Sequence, residues 1–221
     1  MPDIREHKRV LDTITGPVEK PALIWLAERM PSWVSPDLLT VIGLLGAVIV
    51  FAGYALSYRS PGFLWLASAG LVVNWFGDSL DGTLARVRHI ERPKYGFYLD
   101  HTIDVVSEGL VIIGIGATPY VHMQSAAAAY MGYLAMSVLA YVRMAVDGVF
   151  KISYSRVGPT ELRILVIVFN ATLFFLAVPR ERGISAADLI VVVIALGLWI
   201  AFFVSAIKGA IELRHIDRTD D

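Results

Sequence analysis

The chain contains no cysteine, which excludes disulfides, thiolate metal ligands and a cysteine nucleophile. Charge is scarce too: Asp, Glu, Lys and Arg make up 18% of the 221 residues, against 56% hydrophobic. The mean hydropathy is +0.62. A soluble domain of this length needs more polar surface than that. The opening "MPDIREHKRVLD" is charged and lacks the apolar core of a cleavable signal peptide. There is no internal repeat, low-complexity tract or second domain, and nothing points to a nucleic-acid partner.

What the chain does have is apolar runs, each near the roughly 20 residues that cross a bilayer. Six are legible, at about 37–58, 62–85, 97–118, 124–148, 160–178 and 186–208. They predict an all-α integral membrane protein with six transmembrane helices in one domain, 35–221. Ser35 is a suitable N-cap and Pro36 a suitable first residue for span 1, in "SPDLLT". Before it, residues 4–31 alternate Val10, Leu11, Ile14, Leu23 and Trp25 with Arg5, Lys8, Arg9 and Lys20. Segment 1–34 therefore reads as an amphipathic stretch on the membrane surface, broken by Pro17 and Pro21, with a polar tail as the plainer reading.

Six spans put both termini on one side. Of the 19 Lys and Arg, Arg59, Arg180 and Arg182 fall in the opposite loops and the rest on the side of the termini. Positive charge accumulates on the cytoplasmic face, so the termini are expected there, in the inner membrane.

Against this background, "NWFGDSLDGTLARVRHIERPKYGFYLDHTIDVV" places Asp78, Asp81, Asp100 and Asp104 on spans 2 and 3. Asp78 and Asp81 are three apart and Asp100 and Asp104 four apart, spacings that put each pair on one helix face. Both helices meet at the basic loop "RHIERPK", so the two pairs can converge. Carboxylates in a poorly solvated place persist when a cation sits among them, and oxygen-only ligands suit a hard divalent ion. Gly82 and Ala85 follow Asp78 at one and two turns, and Gly96 precedes Asp100 by one. Such small residues serve either as packing surface or as a shelf for a flat ligand. Arg86 next to them suits a phosphate oxygen, whereas Arg88, Arg92 and Lys94 read as cytoplasmic-side charge. Glu108 either extends a polar wall or pairs with a cation, and Asn74 either supports Asp78 or bonds another helix.

The ordered pattern Asp78-x2-Asp81-Gly82-x2-Ala85-Arg86, then Gly96-x3-Asp100-x3-Asp104, resembles the signature of the CDP-alcohol phosphotransferase (CDP-alcohol phosphatidyltransferase) family. The stretch between Arg86 and Gly96 is one residue longer than the family pattern usually has, and the extra residue falls in the loop. The resemblance implies attack of an acceptor alcohol on the β-phosphate of a CDP-linked donor, with CMP leaving. It implies one or two Mg²⁺ or Mn²⁺ ions on Asp78, Asp81 and Asp100, with Asp104 as a further metal ligand and the leading candidate for catalytic base. Gly82, Ala85 and Gly96 would accommodate the nucleotide, together with Arg86 and Thr40 of the "SPDLLT" stretch.

Two features resemble the choline/ethanolamine branch: His101 in "LDH" and Glu161 with Arg163 in "GPTELR". His101 either assists the base or is a hydrogen-bonded structural residue, and Glu161 is a further catalytic candidate. Arg143, Arg156 and Arg163 could hold an acceptor phosphate. The small residues of "SAAAAYMGYLAMS" in span 4 would suit a homodimer interface. Rival readings are an intramembrane prenyltransferase with an Asp-rich Mg²⁺-diphosphate site and a divalent-cation transporter. The first usually separates its two aspartate motifs widely, and the second wants acidic residues on several helices.

Overall fold

The computed structural model describes residues 13–147, 158–176 and 183–219. Among these, every regular element is an α-helix: α1 (Gly16–Arg29), α2 (Pro36–Leu56), α3 (Phe63–Val87), α4 (Pro93–Gly116), α5 (Met123–Asp147), α6 (Pro159–Leu176) and α7 (Ala186–Thr219). Five of them, α2, α3, α5, α6 and α7, are long and apolar enough to cross a membrane. Exposed apolar side chains such as Val41, Leu45, Ile200 and Phe203 line their outer faces, as an integral membrane protein requires.

The expected spans fall within a few residues of α2 to α6, while α7 runs on past 208 to Thr219. The third apolar run, α4, has the length at 24 residues but not the composition. Lys94, Asp100, Asp104 and Glu108 lower its hydropathy. The connections expected around 147–159 and 178–185 lie largely outside the described residues.

Helix termini follow local chemistry. Ser35 Oγ accepts from the Leu38 N–H at 3.2 Å and Pro36 opens α2. At the end of α3, His89 takes a left-handed conformation (φ 55°), and the Ile90 N–H donates to the Ala85 carbonyl at 3.0 Å. That closes the helix in a Schellman turn, an unusual place for a residue other than glycine or asparagine. Pro93 then starts α4. Arg88, expected to be only a cytoplasmic-side charge, donates to the carbonyls of Met30, Pro31 and Val34 at 2.9, 2.9 and 2.5 Å. It thereby ties the α1–α2 connection to the end of α3.

α1 is one continuous helix, not the broken segment its prolines suggested. Pro17 sits in the first turn, where its missing N–H has no intrahelical acceptor to lose, and Pro21 forfeits a single bond close to the helix start. Leu23 and Ala27 bury against Leu39 of α2 and Leu80 and Leu84 of α3, while Val18, Ile24 and Trp25 stay exposed.

α2 and α3 approach backbone to backbone. A Cβ on Gly77 would collide with the backbone of Gly43 and Leu39, and one on Gly46 with that of Asn74. Gly70 against Val50 and Gly53 against Ala67 repeat the contact toward the other end. Small residues are what let membrane helices come this close. The small residues of α5 are likewise used inside the chain: Ala126 and Ala129 are buried, and a Cβ on Gly132 would meet Leu198 and Trp199 of α7. Farther from the aspartates, Tyr54 Oη donates to Asn170 Oδ1 at 2.9 Å and Asn170 Nδ2 to Ser68 Oγ at 3.1 Å, joining α2, α6 and α3.

Overpacking a close contact of this kind costs about 1–3 kcal/mol. Gly77→Val is expected to lower the thermal midpoint in detergent by several degrees, because backbone cannot yield as a side-chain tip does. Gly197→Ala, where an added Cβ meets nothing within 4 Å, leaves it unchanged or slightly higher. Size-exclusion profiles after graded heating read both.

Candidate active site

α3 and α4 are consecutive but pack on α2 more than on each other. A small recess opens among the three helices. Its wall consists of Thr40 and Gly43 from α2, Asn74, Asp78 and Asp81 from α3, and Asp100, Asp104 and Ser107 from α4. One carboxylate oxygen each from Asp78, Asp100 and Asp104 lies within 4.8 Å of the other two. The longer α3–α4 loop therefore leaves the two aspartate pairs able to meet.

Asp81 lines the same recess outside that triple, and its carboxylate has other partners. Thr40 Oγ1 donates to Asp81 Oδ2 at 2.7 Å, and the Gly82 N–H to Oδ1 at 2.5 Å. Thr40 thus both lines the recess and holds one of its aspartates. Asp78 Oδ2 accepts from Arg163 Nη2 of α6 at 2.6 Å. Arg163 Nε donates to Asn74 Oδ1 at 2.9 Å, and Asn74 Nδ2 to the Gly43 carbonyl at 2.9 Å. Both readings of Asn74 therefore hold at once, since it bonds α2 and supports the arginine on Asp78. One turn past Asp104, Glu108 has an Oε2 that is buried with no hydrogen-bond partner.

The small residues differ among themselves. Around Gly96 an added Cβ would meet nothing within 4 Å, so that face is open. At Gly82 it would meet Arg86 Nη1 at 3.3 Å, because the guanidinium folds back to donate to Thr83 Oγ1 at 3.1 Å. Ala85 is partly buried on the same helix. His101 Nδ1 lies 2.9 Å from the Phe97 carbonyl and 3.6 Å from Asp100 Oδ2, with its ring stacked on Phe97 and edge-on to Tyr141. Arg92 pairs with Asp37 and lies over the Tyr95 ring. Arg143 pairs with Glu212 of α7 at 2.8 Å, and Arg156 lies outside the described residues.

Glu161 is not brought to the aspartates by any of its bonds. Its Oε1 accepts from Thr15 N and Oγ1 at 2.7 and 2.9 Å, and its Oε2 from the Gly158 N–H at 2.9 Å. Beside it, Glu19 accepts from Trp75 Nε1 at 2.7 Å and Thr160 Oγ1 at 2.6 Å. These bonds fasten the start of α1 to α3 and α6. The motif "GPTELR" signals their importance, but the partner Thr15 lies 146 residues away and leaves no pattern in the sequence.

Three carboxylates, convergent in a recess and partly buried, are the hard-oxygen donor set that Mg²⁺ and Mn²⁺ take. Residues 33–207 match the CDP-alcohol phosphatidyltransferase family. The chain belongs to that family. Among its relatives is the archaetidylinositol phosphate synthase of Methanothermobacter thermautotrophicus, 33% identical over 126 residues, which covers 53% of this chain and 54% of that protein. The Pyrococcus horikoshii protein of the same name is 28% identical over 170 residues, covering 76% and 80%. Cholinephosphotransferase 1 of Danio rerio is 29% identical over 158 residues, covering 65% of this chain and 39% of that one. The chain thus aligns with about half of the first of these relatives and less of the last.

Replacing Glu161 by Gln keeps its size and weakens the two bonds from Thr15 that anchor α1. Hydrogen bonds to a charged group contribute roughly 1.5–3 kcal/mol. Trypsin is expected to cut after Arg29 at least tenfold faster in Glu161→Gln, while the α2–α3 core stays resistant.

Proposed function

We propose that this protein transfers a substituted phosphate from a CDP-linked donor to the hydroxyl of an acceptor alcohol, releasing CMP, as a step in membrane phospholipid synthesis. The observation that carries this reading is the convergence of Asp78, Asp100 and Asp104 on one recess, in a chain of this family. Neither a prenyltransferase nor a cation transporter accounts for that match.

In this reading one or two Mg²⁺ or Mn²⁺ ions are held by Asp78, Asp100 and Asp104, with Asp81 completing the set from the α2 side. When bound, such an ion neutralises charge on the donor's diphosphate and on the departing phosphate oxygen. Asp104 takes the proton of the acceptor hydroxyl, whose oxygen forms the new bond to the β-phosphorus. The bond from that phosphorus to the CMP oxygen breaks, and its electron pair leaves with CMP. Thr40 keeps the Asp81 carboxylate turned into the recess. The open face at Gly96, with Gly82 and Ala85 opposite, admits the nucleotide, and Arg86 leaves Thr83 to meet a phosphate oxygen. We assign His101, stacked on Phe97 of its own helix, to orienting α4 against Tyr141 of α5, and Glu161 to anchoring α1, rather than to proton transfer.

The reading also completes the architecture. α4 spans about 36 Å at 1.5 Å per residue, enough to cross a hydrocarbon core with its acidic face turned to the recess. With α4 counted, six spans form the domain 35–221. Segment 1–34 lies at the membrane surface with Val18, Ile24 and Trp25 toward lipid. The excess of Lys and Arg on the aspartate side supports a recess and termini that face the cytoplasm, in the inner membrane.

The test is CMP release in nanodiscs from CDP-diacylglycerol and from CDP-linked small alcohols, each with matching acceptors. Release is expected with Mg²⁺ or Mn²⁺ and none after EDTA. Asp78→Asn and Asp100→Asn should abolish it, whereas Asp104→Asn should slow it roughly 10²–10⁴-fold and spare donor binding. Gly82→Leu should block the donor while Mn²⁺ still binds, and His101→Ala should stay within a few-fold of normal. Failure of every donor to yield CMP would sink the proposal, and full turnover by Asp104→Asn would remove it as the base.

A further inference from the structure

Arg163 stands 85 residues from the aspartate it meets. Its Nη2 is 2.6 Å from Asp78 Oδ2, and its Nε is fixed by Asn74, itself fixed by the α2 backbone at Gly43. The two side chains of the ion pair are 16% and 23% exposed, so they face each other largely away from water. Arg163 Nη1 is buried and has no hydrogen-bond partner. The guanidinium is therefore held from two sides, with a donor left over beside the acidic wall.

That wall gathers Asp78, Asp81, Asp100 and Asp104, with the buried Oε2 of Glu108 one turn deeper. Like charges packed this closely with little solvent repel strongly unless positive charge stands among them. Removing one partner of a buried pair leaves the other uncompensated, which is strongly destabilising. A divalent ion would supply compensation, yet it would also repel a guanidinium bonded to one of its own ligands.

Resting on the reading that the recess takes a divalent ion, we propose that Arg163 is the resident counter-cation of the metal-free site. It neutralises and orients Asp78 before the ion arrives, which keeps the empty recess folded and holds ion affinity below what the carboxylates alone would give. Arg163 is a positioning residue in this scheme, and Asn74 acts through it. A purely structural arginine would stabilise both states equally and leave ion affinity alone.

The experiment measures Mn²⁺ binding by electron paramagnetic resonance, and thermal midpoints in EDTA and in saturating Mn²⁺, on the full chain in nanodiscs. Arg163→Gln is expected to bind Mn²⁺ roughly tenfold more tightly. Its midpoint should drop in EDTA and recover with Mn²⁺, so the gap between the two conditions widens. Asn74→Ala, which keeps the charge but frees Nε, should shift both readouts the same way and by less. Arg163→Lys should stay within about threefold of wild-type affinity. Unchanged or weaker Mn²⁺ binding by Arg163→Gln, or an equal drop in both midpoints, overturns the proposal. If Arg163→Gln does not fold even with Mn²⁺, the gap measured for Asn74→Ala decides, a constant gap refuting it. Wild-type protein that binds no Mn²⁺, or binding indifferent to Asp100→Asn, would instead overturn the metal site on which this inference stands.

Discussion

The aspartate end of the molecule depends on α2 and α3 touching through their backbones. Gly43, Gly46, Gly70 and Gly77 leave no side chain between the two helices. Only at that separation can a threonine hydroxyl on α2 bond an aspartate on α3, or an asparagine on α3 reach a carbonyl of α2. Both bonds use short side chains, which have few rotamers to lose and tolerate little drift. Asp81 and Asn74 are aimed by them, and through Asn74 so is Arg163. A glycine seam that would ordinarily be read as packing is thus also what sets the direction of the polar groups.

A membrane helix bearing three acidic residues is costly unless each is met. The chain meets its carboxylates by short-range bonds wherever another helix can supply a donor. Thr40 and the Gly82 N–H serve Asp81, and Arg163 serves Asp78. The carboxylates met in this way, Asp78 and Asp81, belong to α3, and their donors come from α2, α3 and α6. α4 carries Asp100, Asp104 and Glu108, and among the long described helices it is the one without a membrane-spanning composition. The proposed ion adds the charge that protein donors do not.

Much of this was legible in the sequence because it is local. The three- and four-residue spacings of the aspartates fix their shared faces, and a short loop between two helices brings the faces together. The Ser35-Pro36 start of α2 is readable for the same reason. What escaped was carried by partners far apart in the chain. The bonds of Arg163 to Asn74 and Asp78 and of Glu161 to Thr15 were not legible, because a motif shows residue types but not which face of α6 each occupies. Arg88 passed for topology charge because the carbonyls it caps carry no sequence signature. The prolines of α1 misled in the other direction, since their cost depends on where the helix begins, which the sequence does not mark.

The placement of α6 follows from helical geometry. Glu161 and Arg163 are two residues apart, which on an α-helix is roughly 200° of rotation, so their side chains leave opposite faces. One face meets Thr15 and the start of α1, and the other meets Asn74 and Asp78. Being held on both sides at its first turn, α6 has little freedom to rotate about its axis. A rotation that would carry the guanidinium away from Asp78 would also strip Glu161 of Thr15. Glu19 repeats the restraint by bonding Thr160 and Trp75 together. α1 therefore does more than cover the end of the bundle: its first turn fixes the angle at which α6 delivers a positive charge to the aspartates.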